Sequence, residues 1–250
     1  ILVNYKLPPV LQLVLVSLFG GVVAALFGFF VGASTLRLRG DYLAIITLAF
    51  GEIVKYIVQN LDFLGGATGL NNIPRIIDFS NSYFIVVISI VIIAMAMTSR
   101  KGKEILSIRE DEIAAENIGM RLSRIKLYGF AFSAFFAGVG GSLFAHNIGI
   151  LKPDKFGFLF SIEILVMVVL GGLGSITGAI ISAILLTSLN EVLRDVSQFR
   201  YLIYAVILIA LMIFRPTGIF GTKEFTFAGT KRRLNRIRNY RNNRAESKKS

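Results

Sequence analysis

Three carboxylates and one imidazole lie inside apolar stretches of this 250-residue chain, where an ionised group is costly: Glu52, Glu163, Glu191 and His146. At the centre of a hydrocarbon layer a charged side chain costs at least about 2.5 kcal/mol, so such groups are paired or functional. Glu52 follows Gly51, and Lys55 stands one helical turn on, which is the spacing of an ion pair. Two readings fit that spacing: a structural or boundary pair, or part of a polar path. Glu163 lies near Lys155 and Glu191 near the end of its apolar segment, which favours boundary positions. His146 is the only histidine and has no clustered metal-ligand partner, so a structural role is expected for it. Cysteine is absent, which excludes disulfides and thiolate chemistry. Nowhere do a nucleophile, a base and an orienting group occur together, so the sequence offers no enzyme active site. A G-x-x-x-x-G-K-[ST] run that would cradle nucleotide phosphates is also missing.

The elements that must position these groups are long and apolar. Hydrophobic residues make up 54% of the chain and charged ones 17%, against about 25% in soluble domains. Seven apolar segments are expected, near 10–33, 42–58, 82–98, 126–147, 159–173, 175–193 and 200–214. Most are long enough to cross a bilayer as helices, which need about 20 residues. In lipid every backbone polar group must be satisfied internally, which favours an all-α, polytopic helical bundle. The fifth segment is short, and Leu170-Gly171-Gly172-Leu173-Gly174-Ser175 interrupts it. Either a broken or re-entrant helix or a tight surface turn fits that break.

Lysine and arginine set the orientation, since cytoplasmic loops carry the excess. Seven fall between Arg100 and Lys126 and ten from Lys223 onward, so both regions are expected inside. Arg37 and Arg39 then also lie inside, and residues 59–81 and Ile1 outside. Small residues recur every fourth position as Ala134, Gly138 and Ser142, as Ala137, Gly141 and Ala145, and as Gly174, Gly178 and Ser182. These rows read as helix packing seams. In the basic connector, Ser107-Ile108-Arg109-Glu110 fits a capping box, which starts a helix at Ser107. Glu110, Asp111 and Glu112 would occupy its first turn, and Gly119 would end it in a left-handed conformation. Ile118, Leu122 and Ile125 would form its apolar edge, with Ala114 and Ala115 presented outward.

The runs LRLRGDYLAIITLAFGEIV (36–54), GGATGLNNIP (65–74), REDEIAAENIGM (109–120), SAFFAGVGGSLFA (133–145), VVLGGLGSITGAIISAILL (168–186) and RPTGIFG (215–221) together resemble the permease subunit of bacterial branched-chain amino acid ABC importers, the LivM type. The resemblance covers about 29–221. It implies a bacterial inner-membrane, multi-pass permease that pairs with a second, related permease, two cytoplasmic ABC ATPases and an extracytoplasmic solute-binding protein. This chain would bind no cofactor, and ATP and magnesium would be used by the partner ATPases. It also implies a cytoplasmic coupling helix at about 107–121, carrying Glu110, Asp111, Glu112, Ala115 and Gly119. One departure is that Ile113 intervenes between Glu112 and Ala114, where the family signature has Glu directly before two alanines. Another is at the N-terminus, where family members carry further transmembrane sequence, so Ile1 is expected to be an internal position of a longer protein or the product of truncation.

On this reading residues 1–222 form the transmembrane permease domain and 223–250 a basic, disordered cytoplasmic tail. The tail is suited to anionic membrane lipid rather than to nucleic acid. A branched aliphatic cargo would pass through an apolar path for which Thr47, Phe50, Glu52, Leu170, Gly171, Gly172 and Gly174 are candidates. The same architecture could instead carry urea, amides or other amino acids. An ion-coupled secondary transporter is the alternative from another class, and it would need paired intramembrane charges.

Overall fold

The computed structural model describes residues 8–38 and 40–192, together with 202, 203, 205, 206, 209, 213 and 218. Two compact units, Ile1–Leu159 and Phe160–Ser250, divide the chain, and each is taken by itself below. Among the described residues eight α-helices and three one-turn 3-10 helices account for the regular structure, with one isolated antiparallel bridge.

In the first unit α1 (Pro9–Thr35), α2 (Asp41–Gln59), α3 (Phe79–Thr98) and α6 (Leu122–Ile148) are each apolar and long enough to cross a membrane. Between α3 and α6 lie α4 (Arg100–Glu110) and the six-residue α5 (Glu112–Asn117). The spine of the unit is the antiparallel pair α1 and α6, and close approach of two backbones explains it. A Cβ built on Gly138 would lie 2.5 Å from the Cβ of Ala24, and one on Gly28 would lie 2.5 Å from the Cβ of Ala134. Gly20 rests on Gly138 and Ser142, and Gly32 on Leu127 and Phe130. Thus the row Ala134, Gly138, Ser142 is a packing seam, and it meets a second row on α1, Gly20, Ala24, Gly28 and Gly32. Lipid tails are as apolar as leucine, so helices there associate through such van der Waals contact rather than hydrophobic burial. Among the described residues the other row on α6 is less covered: Ala137 is exposed, nothing lies within 4 Å of a Cβ at Gly141, and Ala145 is half-buried.

At one end of this unit the α2–α3 connector folds back on the segment after α6. Leu70 and Leu151 exchange both backbone hydrogen bonds, Ile73 N–H donates to the Gly149 carbonyl, and the Arg75 guanidinium donates to the Ile148 carbonyl at 3.3 Å. Gly69 makes the pairing possible, because its φ is +78° and a side chain there would run into the Leu151 carbonyl. Replacing Gly69 with alanine is expected to cost about 2 to 3 kcal/mol locally through strain and clash. Proteolysis of the 59–81 connector should then be faster than in the wild type, and an unchanged cleavage rate would rule the pairing out as its lock.

The second unit holds most of α7 (Phe158–Gly171) and all of α8 (Ile176–Val192), joined by Gly172 to Ser175. Gly172 and Gly174 both have positive φ, and the Ser175 hydroxyl caps α8 by accepting the Gly178 N–H at 3.1 Å. The glycine interruption is therefore a tight turn between two helices. At 14 and 17 residues these helices are shorter than the four spans above. Gly171 and Gly178 meet backbone to backbone, and Gly218 of the RPTGIFG run packs on Gly172. Val166 and Leu186 form the core of this unit. Of the segment expected at 200–214 only Leu202, Ile203, Ala205, Val206, Ile209 and Ile213 are described, all helical, and the basic tail 223–250 lies outside the described residues.

Candidate functional site

Two features of the first unit stand out: an elbow between α4 and α5, and a cavity bounded by α1, α2 and α6. The elbow begins at Ser99, whose hydroxyl oxygen accepts the Gly102 N–H and so starts α4. The helix expected to start at Ser107 does not do so. Ser107 lies inside α4, where its hydroxyl donates to the Glu104 carbonyl at 2.8 Å, an ordinary intrahelical back-bond. The break falls four residues later. Asp111 adopts extended backbone, its Oδ1 accepts the Ala114 N–H at 2.9 Å, and α5 starts from that cap. Basic α4 continues past the capping-box signal because Ser99 had already nucleated it upstream, and a carboxylate is as good a cap as a hydroxyl.

This change redistributes the expected site residues. Glu110 ends α4 and pairs with Arg109 at 2.6 Å, so it is not in the first turn of α5. Glu112 is there, and its Oε1 accepts from the Lys126 ammonium at 2.7 Å, which ties α5 to the first turn of α6. Gly119, at φ +85°, closes α5 as expected. Its N–H donates to the Glu116 carbonyl and the Met120 N–H to the Ala115 carbonyl, the paired bonds of a Schellman turn. Ala115, expected to face outward, is only 3% exposed and packs against Ile108 and Ile125. Conversely Ile118 does not belong to the inner edge. It is 77% exposed, and Ile113 is 73% exposed, so the six-residue helix and its C-cap residue present two isoleucines outward. The sequence signal for this was the very insertion of Ile113 that breaks the Glu-Ala-Ala pattern. Leu36 and Arg37 of the α1 end border the same region as Glu112, Glu116, Arg121 and Lys126.

The cavity has a volume of about 590 Å³ and lies toward the opposite end, roofed by Leu64, Leu70, Leu151, Pro153 and Phe156. Thr47 and Phe50 line it, as do Phe27, Val31 and Val54. The Thr47 hydroxyl is turned back onto its own helix, within 2.9 Å of the Leu43 and Ala44 carbonyls. Among the described residues Lys55 is the one charged side chain in the wall. Its ammonium contacts Glu52 Oε2 at 2.5 Å and lies 4.8 Å from the centre of the Tyr56 ring. The other Glu52 oxygen accepts the Phe158 N–H at 2.8 Å. One turn further along α2, the Gln59 amide donates to Asp154. The face Glu52, Lys55, Gln59 thereby fastens α2 to the turn after α6. The spacing of Glu52 and Lys55 alone had suggested the pair, whereas its contacts to residues about a hundred positions away carried no local signal.

Leu170, Gly171, Gly172 and Gly174 belong to the second unit, with Leu170 and Gly171 buried there at the end of α7. Glu163 accepts from the Asn190 amide at 2.7 Å, an α7 to α8 hydrogen bond that suits a structural group. His146 is buried, with Nδ1 2.8 Å from the Ser142 carbonyl.

The family model described as "Branched-chain amino acid transport system / permease component" matches residues 1–215. Over 234 residues the chain is 36% identical to the "High-affinity branched-chain amino acid transport system permease protein LivM" of Escherichia coli (strain K12), covering 80% of this chain and 55% of that relative. The protein of the same name from Salmonella typhimurium is also 36% identical, with the same coverage. "High-affinity branched-chain amino acid transport system permease protein BraD" of Pseudomonas aeruginosa is 29% identical over 65% of this chain and 54% of that relative. The chain thus spans about half the length of these curated relatives. No solved structure matches it.

Proposed function

Because the chain belongs to the family of branched-chain amino acid transport permease components, we propose that it is the membrane-spanning subunit of an ATP-driven importer of leucine, isoleucine and valine. In this role it supplies part of the translocation path and receives the force of ATP hydrolysis from separate subunits. The observation that carries the reading is the elbow. A short helix capped at both ends, tied by Glu112 to Lys126 and offering Ile113 and Ile118, is a rigid knob on the end of a membrane-spanning helix. Such a knob can transmit movement of a docked ATPase directly to α6. Surrounding arginines and lysines assign that end to the cytoplasm. In this reading the C-terminal basic tail is cytoplasmic, and its charge suits anionic lipid.

The partners of this reading are two ATPases that bind magnesium and ATP, a related second permease and an extracytoplasmic solute-binding protein. The test is affinity purification of the full-length protein from mild detergent with mass spectrometry, followed by ATP hydrolysis assays with each amino acid. Recovery of two P-loop ATPases and a second permease supports the importer. Purification of the chain alone, under conditions that keep membrane complexes intact, favours the ion-coupled alternative, for which the intramembrane Glu52–Lys55 pair is the supporting observation. Urea or a short amide stimulating hydrolysis where leucine does not would move the cargo class.

Cysteines substituted at Thr47 and Phe50 are expected to react with a water-soluble thiol reagent in at least one transport state. Complete protection of both in every state would remove the cavity from the path.

A further inference from the structure

We propose that the apolar slot between α3, α4 and the first half of α6 holds an acyl chain of an anionic phospholipid, whose phosphate sits on Arg121 and Arg124. This goes beyond the importer reading and needs only that the chain spans a membrane. The slot has a volume of about 530 Å³, within the range of small-molecule sites. Ile93 and Met97 of α3, Ile105 of α4, and Gly129, Phe132 and Phe136 of α6 line it. Its polar lining side chains are already engaged: the Lys126 ammonium donates to Glu112, and the Ser133 hydroxyl donates to the Phe130 carbonyl at 2.9 Å. A polar solute would give up its water there without replacement, whereas an alkyl chain has no hydrogen bond to lose.

Depth points to a lipid chain. From Ile125 to Phe136 the lining on α6 runs about 16 Å along the helix. The hydrocarbon layer is about 30 Å thick, so the slot is as deep as one leaflet. None of the residues in the second half of α6 lines it, whereas a partner's spanning helix would run on past it.

The rim carries the matching charge. Arg121 and Arg124, both exposed, border clefts that share Ile125 and Lys126 with the slot, and Arg37 joins them from the end of α1. The other cations of these clefts are spent, Lys101 on Glu104 and Lys126 on Glu112. Among the described residues no hydrogen bond or ion pair engages the side chains of Arg37, Arg121 or Arg124, and Glu116, the remaining carboxylate there, has a partner of its own. No acidic residue occupies the first turn of α6, so the positive end of that helix adds to the field of the arginines. Tyr128, exposed on the same rim, is of the aromatic type enriched at membrane–water boundaries. Arginines, tyrosine and slot thus follow one another along α6 in the order of headgroup, interface and chain. A lipid seated there touches both α4 and α6 and stiffens the base of the elbow.

The experiment uses the full-length protein, purified with its partners in detergent micelles. The probe is a phosphatidylglycerol with a photoactivatable diazirine midway along one acyl chain; peptide mass spectrometry reads where it attaches, and unlabelled lipids compete. Attachment is expected at Ile93, Met97, Phe132 and Phe136. Phosphatidylglycerol should compete roughly 10- to 30-fold better than phosphatidylcholine, the scale of two basic groups beside an anionic headgroup. Glycerophosphoglycerol, which has the headgroup and no chains, should compete only weakly. Arg121→Gln together with Arg124→Gln should erase the preference for phosphatidylglycerol while leaving the basic tail as it is. Ser133→Trp, at an exposed position in the slot wall, should block attachment, and Ser133→Leu should reduce it. Added phosphatidylglycerol should raise the melting temperature of the wild type and not that of Ser133→Trp. Equal competition by phosphatidylcholine, an unchanged preference in the arginine variant, or competition by glycerophosphoglycerol at the concentrations of the lipid overturns the site. Attachment confined to the tail or spread evenly over the helices overturns it as well, and absence of attachment at the slot in the complex gives that face to a partner subunit instead.

Discussion

Gly138→Leu is expected to destabilise the assembled protein more than any other single change on the membrane helices, by about 3 kcal/mol or more. The position has no room in two directions. A Cβ would meet both the Ala24 side chain and the Gly20 carbonyl at 2.5 Å, and the Gly20 contact is backbone, which cannot rotate aside. The helices would have to separate, and separation removes the contacts of Gly20, Gly28 and Gly32 together. Since van der Waals packing is the main attraction between helices in lipid, nothing replaces what is lost. Gly140→Leu is the control, two residues away on the same helix, where a Cβ meets nothing within 4 Å. Thermal melting of the detergent-solubilised complex should fall sharply for Gly138→Leu and stay within a degree or two for Gly140→Leu. Equal melting temperatures for Gly138→Leu and the wild type would mean that α1 and α6 do not pack through this seam.

The second large effect is expected at the elbow. On the importer reading, Ile113→Asp together with Ile118→Asp should detach the ATPase subunits without unfolding the permease. Both side chains are more than two-thirds exposed, so the substitutions should each alter stability by no more than about 0.5 kcal/mol. If they are the anchors that fill a groove on the ATPase, each is expected to cost about 2 kcal/mol of binding. That corresponds to roughly 30-fold apiece. Co-purification of the ATPase and solute-stimulated ATP hydrolysis should be lost in the double variant, while the two permease subunits still elute together. The buried neighbour separates docking from folding. Ala115→Asp places an unpaired carboxylate against Ile108 and Ile125 and should lower the melting temperature itself. Retention of the ATPase by the double Asp variant would move the docking surface elsewhere, with exposed Glu116 and Ala114 as the next positions to probe.

Much of the architecture was legible before any coordinates. Apolar runs of bilayer length predict α1, α2, α3 and α6 to within a few residues, because a helix satisfies every backbone hydrogen bond within such a run. The interruption at Gly171-Gly172 predicts the end of α7, since consecutive glycines favour leaving a helix. Gly119 was readable as a helix terminator for a related reason: its position after a polar helical run calls for the left-handed conformation that only glycine adopts cheaply. The capping box at Ser107 was misleading because the motif is a local possibility. Whether it is used depends on whether the preceding turn is already helical, and Ser99 had made it so.

What the sequence by itself determined is therefore the set of elements: which stretches are helices, where they break, which end is basic, and through residue runs scattered over most of the chain, the family. Only the tertiary structure decided which of two equivalent small-residue rows on α6 meets α1, since both have the same spacing and the contacts of Gly20, Ala24 and Gly28 fall on Ala134, Gly138 and Ser142. It also decided that Ala115 turns inward while Ile113 and Ile118 turn outward, because a one-residue shift in helix start rotates every side chain by about 100°. The cavity was beyond the sequence for the same reason. Its wall joins Phe27, Phe50, Phe130 and Leu151, and such neighbours are set by the paths of whole helices rather than by any local preference.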